Sequence, residues 1–459
     1  MKHSKADVRG KVRLAMDLRF EPQHLTSYAG LILFQHFFAK LQFKERLWNC
    51  FRHLKASPIY GHHLIMMLLV VHVVIGHRRL RDVDYYRDDE MVKRVLGLKR
   101  LPDVSTISRT LRNTDLVCVE KLRAESRTLV LERLSAEQLA RVTLDFDGSV
   151  LSTGRHAEGT AVGFNKKKKG QRSYYPLFCT VAQTDQIFDV HHRPGNVHDS
   201  NGAADFIRQC LAHVRTALPR SRLEARIDSA FFNETIAAEL DAADVEFTIS
   251  VPFERFTELK GMVEGRRRWR HLSEDLSFFE SHWKPKSWSA CYRFLFVRKQ
   301  VKRQDKAPLQ LDLFTPTEYG HDFKVIVTSK RCSARKVVAF HEGRGSQEGI
   351  FAELKSQCQM NYVPVTTCAG NQVYMLAAIL AHNVTRELQM HLDPRARGTT
   401  AKRAALWCFR EIETLRRTLI QHAGRIIRRQ ADPVHEYQPQ AGKRAVAFPR
   451  RPSADPRMS

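Results

Sequence analysis

Three short segments place carboxylates where they could hold a divalent cation. In Leu144-Asp145-Phe146-Asp147-Gly148-Ser149 two acids alternate with apolar residues, so both project from the polar side of an otherwise apolar strand. A carboxylate there is costly unless it is paired or bound to metal. Asp147, next to Gly148, sits where the strand ends and a phosphate could approach the backbone; Asp145 is the alternative, or a supporting partner. In Arg226-Ile227-Asp228-Ser229-Ala230-Phe231, Asp228 closes an apolar strand at its carboxyl end, where open sheets usually place a ligand. Capping the next helix is its competing role. In Gly343-Arg344-Gly345-Ser346-Gln347-Glu348, continuing to Glu353-Leu354-Lys355, Arg344 lies in a glycine-flanked turn. Glu348 and Lys355 then share a helix face, about two turns apart. An exposed helix with a charge pattern would look the same in isolation. Together the three acids suit phosphodiester cleavage, in which carboxylates converge on two ions about 3.5–4 Å apart that activate the attacking oxygen and stabilise the leaving one. Mg²⁺ prefers oxygen ligands and keeps several waters, so three carboxylates suffice.

The elements that must position these acids follow from periodicity. From Arg141 the period is two, with Val142, Leu144 and Phe146 facing one way and Thr143, Asp145 and Asp147 the other. Strand-like runs follow at Pro176 to Ala182 and Ile187 to His191, then a helix from Ser200 to Leu218 started by Asp199. A strand from Leu223 to Asp228, a helix from Asn233 to Leu240 and a strand from Val245 to Val251 complete the series. Three strands, helix, strand, helix, strand is the order of the ribonuclease H-like fold, an α/β class built on a mixed sheet. Residues 138–252 form its first part. Residues 253–335, rich in Trp, Phe and basic side chains with strand-like runs at Tyr292 to Val297 and Phe323 to Val327, read as a β-rich insertion. Residues 336–390 complete the domain with helices at Gln347 to Cys358 and Asn371 to Leu388.

Residues 1–137 read as a helical domain, with apolar residues at helical spacing from about Leu25 to Glu137, an ordinary helical bundle being the alternative to a DNA-binding one. Pro102 to Arg109 reads as a turn into a helix capped by Asp103 or Ser105, which gives the region a helix-turn-helix character. Residues 391–459 read as basic helices to about Gln430 and a Pro-rich tail that is disordered after Asp432. Arg416, Arg417, Arg425, Arg428 and Arg429 make this region an electrostatic arm.

The chain has 75 Lys and Arg against 49 Asp and Glu, a formal net charge of +26. Its 459 residues suggest two to four structural units, and 43% hydrophobic residues supply a core, which excludes a wholly disordered chain. The charge points to a polyanion, most often nucleic acid. Lys166, Lys167, Lys168 and Lys169 fall between the first two strands, where they either grip a DNA backbone or form a solvated loop. No apolar run of the ~20 residues needed to cross a bilayer is present. The expectation is therefore no membrane and no secretory signal. Nine scattered Cys without a CxxC pair suggest free thiols in a reducing cytoplasm.

With these motifs in hand, the chain resembles the DDE transposases of bacterial insertion sequences, in particular the group with a Tyr-Arg-Glu-Lys signature. Arg344, Glu348 and Lys355 match that signature in identity and spacing, while its Tyr position holds His341, with Phe340 beside it as a possible substitute. Asp147-Gly148-Ser149 is similar to the family's first acid motif, which favours Asp147 over Asp145, and Arg226 to Phe231 is similar to the segment around the second. The layout most resembles insertion-sequence family 1380. The resemblance implies that Asp147, Asp228 and Glu348 bind two Mg²⁺ ions, for which Mn²⁺ could substitute. It implies that water frees a 3′-hydroxyl at the element's end and that this hydroxyl attacks target DNA, with Arg344 and Lys355 holding phosphates. Relatives with a β-insertion form a hairpin at the transposon end, so Trp283 and Trp288 become candidates to stack a flipped base, the alternative being core packing. The implied partners are double-stranded DNA (terminal inverted repeats and target) and a second copy in a homodimeric synaptic complex, in the bacterial cytoplasm at the nucleoid. Two other functions fit the same residues: a nuclease of this fold without strand transfer, and a non-catalytic DNA-binding descendant, against which three intact acids argue.

Overall fold

The computed structural model describes residues 24–428 and 433–435, apart from 56, 58, 164, 166–167, 198–200 and 301–320. A two-residue strand β1 (Leu25–Thr26) leads into helices α1 (Leu31–Lys40), α2 (Phe43–Phe51), α3 (His62–Val74), α4 (Glu90–Leu96), α5 (Val104–Arg112) and α6 (Leu116–Glu137). Aspartates start three of them. Asp89 accepts from Met91 N and Val92 N, Asp103 from Thr106 N, and Asp115 from Cys118 N, so donors left without a partner in each first turn are satisfied. Of the two expected caps for α5, Asp103 is the one used.

Helix α3 is apolar on every side, and from Ile65 to Val74 it is fully buried. Such a helix needs partners all round. One of them is α12 (Cys368–Leu392), and a single apolar core runs from α1 to α6 through α11 (Ser346–Ser356) and α12. The boundary expected near Glu137 is therefore crossed by a shared core rather than by a linker.

The central sheet has the strand order β10-β11-β12-β13-β9-β8-β2-β6-β7. Its heart is β2 (Arg141–Gly148), β6 (Leu177–Val181), β7 (Gln186–His191), β8 (Arg222–Ile227) and β9 (Glu246–Val251). β2 pairs in parallel with β8 and β8 with β9, while β6 and β7 are antiparallel. Helices α7 (Ala203–Ala217) and α8 (Glu234–Ala242) are the crossovers between β7, β8 and β9, and they cover the face bearing Val142, Leu144 and Phe146. Asp199 and Ser200, the expected start of α7, lie outside the described residues. Edge strand β7 is closed by a side chain: Asn383 of α12 accepts from Ile187 N at 2.9 Å and donates to Ile187 O at 2.7 Å, as a neighbouring strand would.

A small sheet of β3 (Leu151–Ser152), β4 (Ala161–Val162) and β5 (Arg172–Tyr174) sits in the connection from β2 to β6. The expected insertion is not a separate unit. After α9 (Thr257–Glu264), strands β10 (Arg270–His271), β11 (Leu276–Trp283), β12 (Tyr292–Gln300) and β13 (His321–Thr328) extend the central sheet, with β13 antiparallel to β9 through Val327 opposite Ile249. Helix α10 (Ala334–Glu342) then crosses the opposite face, where Val337 and Val338 pack on Leu295 and Ile326.

Beyond α12 the chain differs from the expected basic helices. Among the described residues there, only α13 (Ile412–Leu415) and a wide turn at Arg416–Ile420 are helical. Gly424–Arg428 is strand β14, paired with β1 and with β15 (Pro433–His435). Gly424 to Arg428 alternates in a way a short strand accommodates, and its partner lies near the other end of the chain, out of reach of a local pattern. Arg416 is buried rather than part of an exposed arm. Arg429 and the segment expected to be disordered lie outside the described residues, apart from β15. Among the described residues no helix is long and apolar enough to cross a membrane.

Candidate active site

The polar face of the sheet is a ladder with one rung every second residue. β2 and β8 are in parallel register with Thr143 opposite Glu224 and Asp145 opposite Arg226. Alternate residues of a strand share a face, so Asp147 and Asp228 form the next rung, at the carboxyl ends of both strands.

The first rung is a buried charge cluster. Thr143 Oγ1 donates to Glu224 at 2.9 Å, and Lys330 and Arg403 reach the same carboxylate at 2.7 Å. Burial alone would raise the Glu224 pKa, but hydrogen bonds from Arg403 and Lys330 outweigh it and hold the group at about 2. The second rung is a bidentate pair in which Arg226 Nε and Nη2 donate to Asp145 at 2.5 and 2.6 Å, both side chains being buried. Arg226 Nη1 also donates to Phe340 O and Lys402 O. A Cβ at Gly343 would collide with that guanidinium and with Lys402 O, so glycine lets the junction of α10 and α11 lie directly over the pair. Both oxygens of Asp145 are thus committed to Arg226.

The third rung is open to ligands. Asp147 and Asp228 keep side-chain exposures of 19% and 34%, and the Arg344 guanidinium bridges them, Nη1 to Asp147 at 3.1 Å and Nη2 to Asp228 at 3.3 Å. Asp228 precedes a short 3₁₀ turn (Ser229–Phe231), but its side chain makes no capping bond, which removes the structural role that competed for it. Helix α11 starts against the same strand ends: Gln347 is buried and donates to Asp145 O at 3.1 Å. Glu348, the next residue, is exposed in that first turn. Lys355 lies in the last turn of α11, half-buried.

The structure thus brings together Asp147, Asp228 and Arg344 and puts the first turn of α11, with Glu348, beside them. It places the other expected residues differently. His341 is buried, with its ring nitrogens 3.0 Å from Thr248 Oγ1 and 2.8 Å from Ser250 Oγ, and burial pushes its pKa well below the usual histidine range. Phe340 is also buried, its ring facing Lys330 and Arg226. Neither is placed to touch DNA. Trp283 packs edge-on against Phe256 and Phe294 and donates to Glu258 at 2.8 Å; Trp288 stacks on Phe232 at 4.8 Å. Both are buried in the core, Trp283 at the end of the strand Leu276–Trp283 and Trp288 in the connection that follows it. Lys168 and Lys169 are exposed in the turn before β5, while Lys166, Lys167 and the side chain of Arg428 lie outside what is described.

Sequence reasoning passed over Arg226 and Gln347 as supports. Arg226 was detectable, since it stands two residues before Asp228 and faces Asp145 once the strands are paired in parallel. His53, Asp115 and Cys118 also meet, His53 lying 3.1 Å from the Asp115 carboxylate that caps α6.

Residues 9–433 match the family model Transposase DDE domain group 1. The chain belongs to that family. Among solved structures this DDE transposase is similar to the piggyBac transposase synaptic complex with hairpin DNA, at 12% identity and a TM-score of 0.41, covering 85% of this chain and 80% of that one. It is similar also to the Mos1 transposase paired-end complex with the left transposon end (10% identity, TM-score 0.17, 42% and 60% covered) and to the Mos1 mariner paired-end complex with Mn (11% identity, TM-score 0.17, 42% and 60% covered). No curated protein sequence matches it. For a DDE transposase the relevant property of the site is its donor set. Two carboxylates side by side at strand ends already attract a cation, Arg344, and a third stands in the adjacent helix turn. Oxygen-only donors of this kind suit Mg²⁺ or Mn²⁺.

Proposed function

We propose that this protein cuts DNA at the ends of a mobile element and joins the freed 3′-hydroxyls to target DNA, with Asp147, Asp228 and Glu348 as the metal-holding acids. The observation that carries the reading is the pairing of Asp147 and Asp228 on the open rung of the β2–β8 ladder, with the start of α11 docked on the same strand ends. The strand order and directions of β2, β6, β7, β8 and β9 support a ribonuclease H-like core. Divalent ions held there would supply Lewis-acid activation of the attacking oxygen and stabilisation of the leaving one.

The chain's own residues do the rest. Asp145 and Arg226 hold β2 and β8 in register so that Asp147 and Asp228 stay side by side. Gln347 fixes the first turn of α11 against β2, which sets where Glu348 stands. Arg344 binds the phosphodiester being cut, and Lys355 a neighbouring phosphate. Each transesterification exchanges one phosphodiester for another, so no high-energy cofactor is required. DNA is the partner by charge, and two copies would be needed to hold two element ends. The insertion-sequence lineage, with family 1380 as its nearest group, and a place at the bacterial nucleoid belong to the same proposal.

The test is a strand-transfer reaction with a labelled duplex carrying the inverted repeat that flanks the coding sequence, in Mg²⁺ and in Mn²⁺. Wild type is compared with Asp147→Asn, Asp228→Asn and Glu348→Gln. Loss of cutting and joining in all three is expected. Retained activity in any one removes that residue from the site, and cutting without joining identifies a nuclease instead.

A further inference from the structure

Most of the buried or half-buried arginines are matched by acids: Arg46 with Glu125, Arg123 with Asp189, Arg133 with Glu387, Arg386 with Glu353 and Arg403 with Glu224. A different set, exposed and without an acid partner among the described residues, gathers at one concavity. A cleft of about 560 Å³ opens between the 3₁₀ turn Leu80–Tyr85, helix α5, the loop after β3 and the segment after α11, and it is lined by Arg79, Arg81, Ser108, Arg155, Tyr362 and apolar neighbours. No carboxylate lines it, and among the described residues none pairs with any of its three arginines. The nearest acids by sequence are already used. Asp82 accepts from the backbone of Arg78 and Arg79, and Asp103 caps α5.

Arg155 is held in place, with Nη1 donating to Pro364 O at 2.7 Å, which leaves its other donors for a ligand. Arg79, Arg81 and Arg155 are all exposed. Three guanidinium groups around one concavity repel each other unless an anion stands between them, and planar arginine forks match phosphate oxygens. Ser108 adds a neutral donor on the α5 wall. The walls also belong to the elements of the proposed site: Arg155 follows the end of β2 that carries Asp147, and Tyr362 and Pro364 follow the helix that carries Glu348.

We propose that this cleft is a phosphate-backbone seat for duplex DNA, in which Arg79, Arg81 and Arg155 bind consecutive phosphates of one strand and Ser108 hydrogen-bonds between them. It rests on the reading of the protein as DNA-acting and adds a contact outside the three acids. A seat of this kind positions the duplex without reading its sequence.

The test measures binding of a fluorescein-labelled duplex of mixed sequence over a range of salt concentrations, without divalent metal. The variant Arg79→Glu with Arg81→Glu is compared with Arg220→Glu with Arg222→Glu, which makes the same charge change at the far, amino-terminal end of β8, where Arg222 is exposed. The cleft variant is expected to bind about 10- to 100-fold more weakly, and its dependence of log affinity on log salt to flatten by about 2, the slope of two lost phosphate contacts. A photo-reactive residue at Ser108 is expected to cross-link to the duplex in the otherwise unaltered protein, which guards against a misfolded variant. Equal weakening by both charge reversals, or unchanged binding with no cross-link, overturns the proposal. Displacement of the duplex label from the Ser108 cross-link by low inorganic phosphate would overturn it too, in favour of a free-phosphate site. Because no cutting is measured, inactive wild type with cleft-dependent binding would refute the proposed reaction alone, and active wild type with cleft-independent binding would refute the cleft alone.

Discussion

Asp145 and Arg226 are bidentate partners across two parallel strands, one rung below Asp147 and Asp228. Two acids of the same type, two residues apart on one strand, therefore do different work. Removing one partner of a buried pair leaves an uncompensated charge and costs about 3–5 kcal/mol. Asp145→Asn is expected to lower thermal stability by that order and to lose activity only through misfolding. Asp147→Asn is expected to melt near wild type and lose the reaction. A thermal melt beside the strand-transfer assay separates them. Equal stability of the two variants would contradict the division of roles.

Arg344 bridges Asp147 and Asp228, so it competes for oxygens that a divalent ion would take. Arg344→Ala is expected to bind Mn²⁺ roughly ten-fold more tightly in the absence of DNA, the scale of a charge-assisted bond removed. The same variant is expected to join DNA more slowly, because a phosphate ligand is gone. Titration calorimetry or the Mn²⁺ spin-resonance signal reads the first effect, and weaker Mn²⁺ binding would count against the competition.

What the sequence made legible depended on distance along the chain. The period-two pattern from Arg141 placed Asp145 and Asp147 on the face opposite Leu144 and Phe146, and the Gly343 to Glu348 segment put Arg344 before the helix start. Both are local signals. The parallel register that joins Asp145 to Arg226, the pairing of β13 with β9 and the pairing of β14 with β1 are long-range, and no local periodicity reports them. His341 and Phe340 were hidden for a related reason. Their helix lies over the sheet, and only its docking shows that they face Thr248, Ser250 and Arg226 rather than solvent.

Glu224 supplies a pH dependence. Its folded pKa, about 2, is depressed below its ordinary value of 4.5 by Arg403 and Lys330 despite its burial. A depressed acid stabilises the fold above its unfolded pKa and loses that contribution as pH falls through the folded one. The stabilisation, on the order of 3 kcal/mol, is present above about pH 4.5 and fades toward pH 2. Denaturant unfolding of wild type and Glu224→Gln should differ by this much near pH 6 and converge as the pH approaches 2–3. A constant difference over that range would show that the carboxylate's charge is not what matters.

Trp288 stacks on Phe232 and meets Tyr292 edge-on, within the core of the extended sheet. Trp288→Ala is expected to cost about 3–5 kcal/mol by leaving a cavity. Trp288→Phe, which keeps an aromatic ring against Phe232, is expected to retain most of the stability and all of the product pattern. If instead Trp288→Phe melts normally and selectively loses a hairpin product, the ring leaves the core during the reaction and stacks on a base.

Arg416 and Arg417 are adjacent and identical in type, yet they are expected to respond oppositely. Arg416 is buried and donates to Val73 O, Val74 O and Gln357 O, tying the carboxyl end of α3 to the residue after α11. A cation on the last carbonyls of a helix satisfies acceptors the helix cannot. Arg417 is 74% exposed and, among the described residues, pairs with Glu413, a contact worth under about 1 kcal/mol. Arg416→Met is expected to destabilise by about 3 kcal/mol, because Val74 O and Gln357 O lose their donor and Val73 O keeps only that from Gly76 N. Arg417→Met is expected to leave the melt within about 0.5 kcal/mol of wild type. Similar melts for the two variants would mean that the 412–420 segment does not clamp α3 to α11.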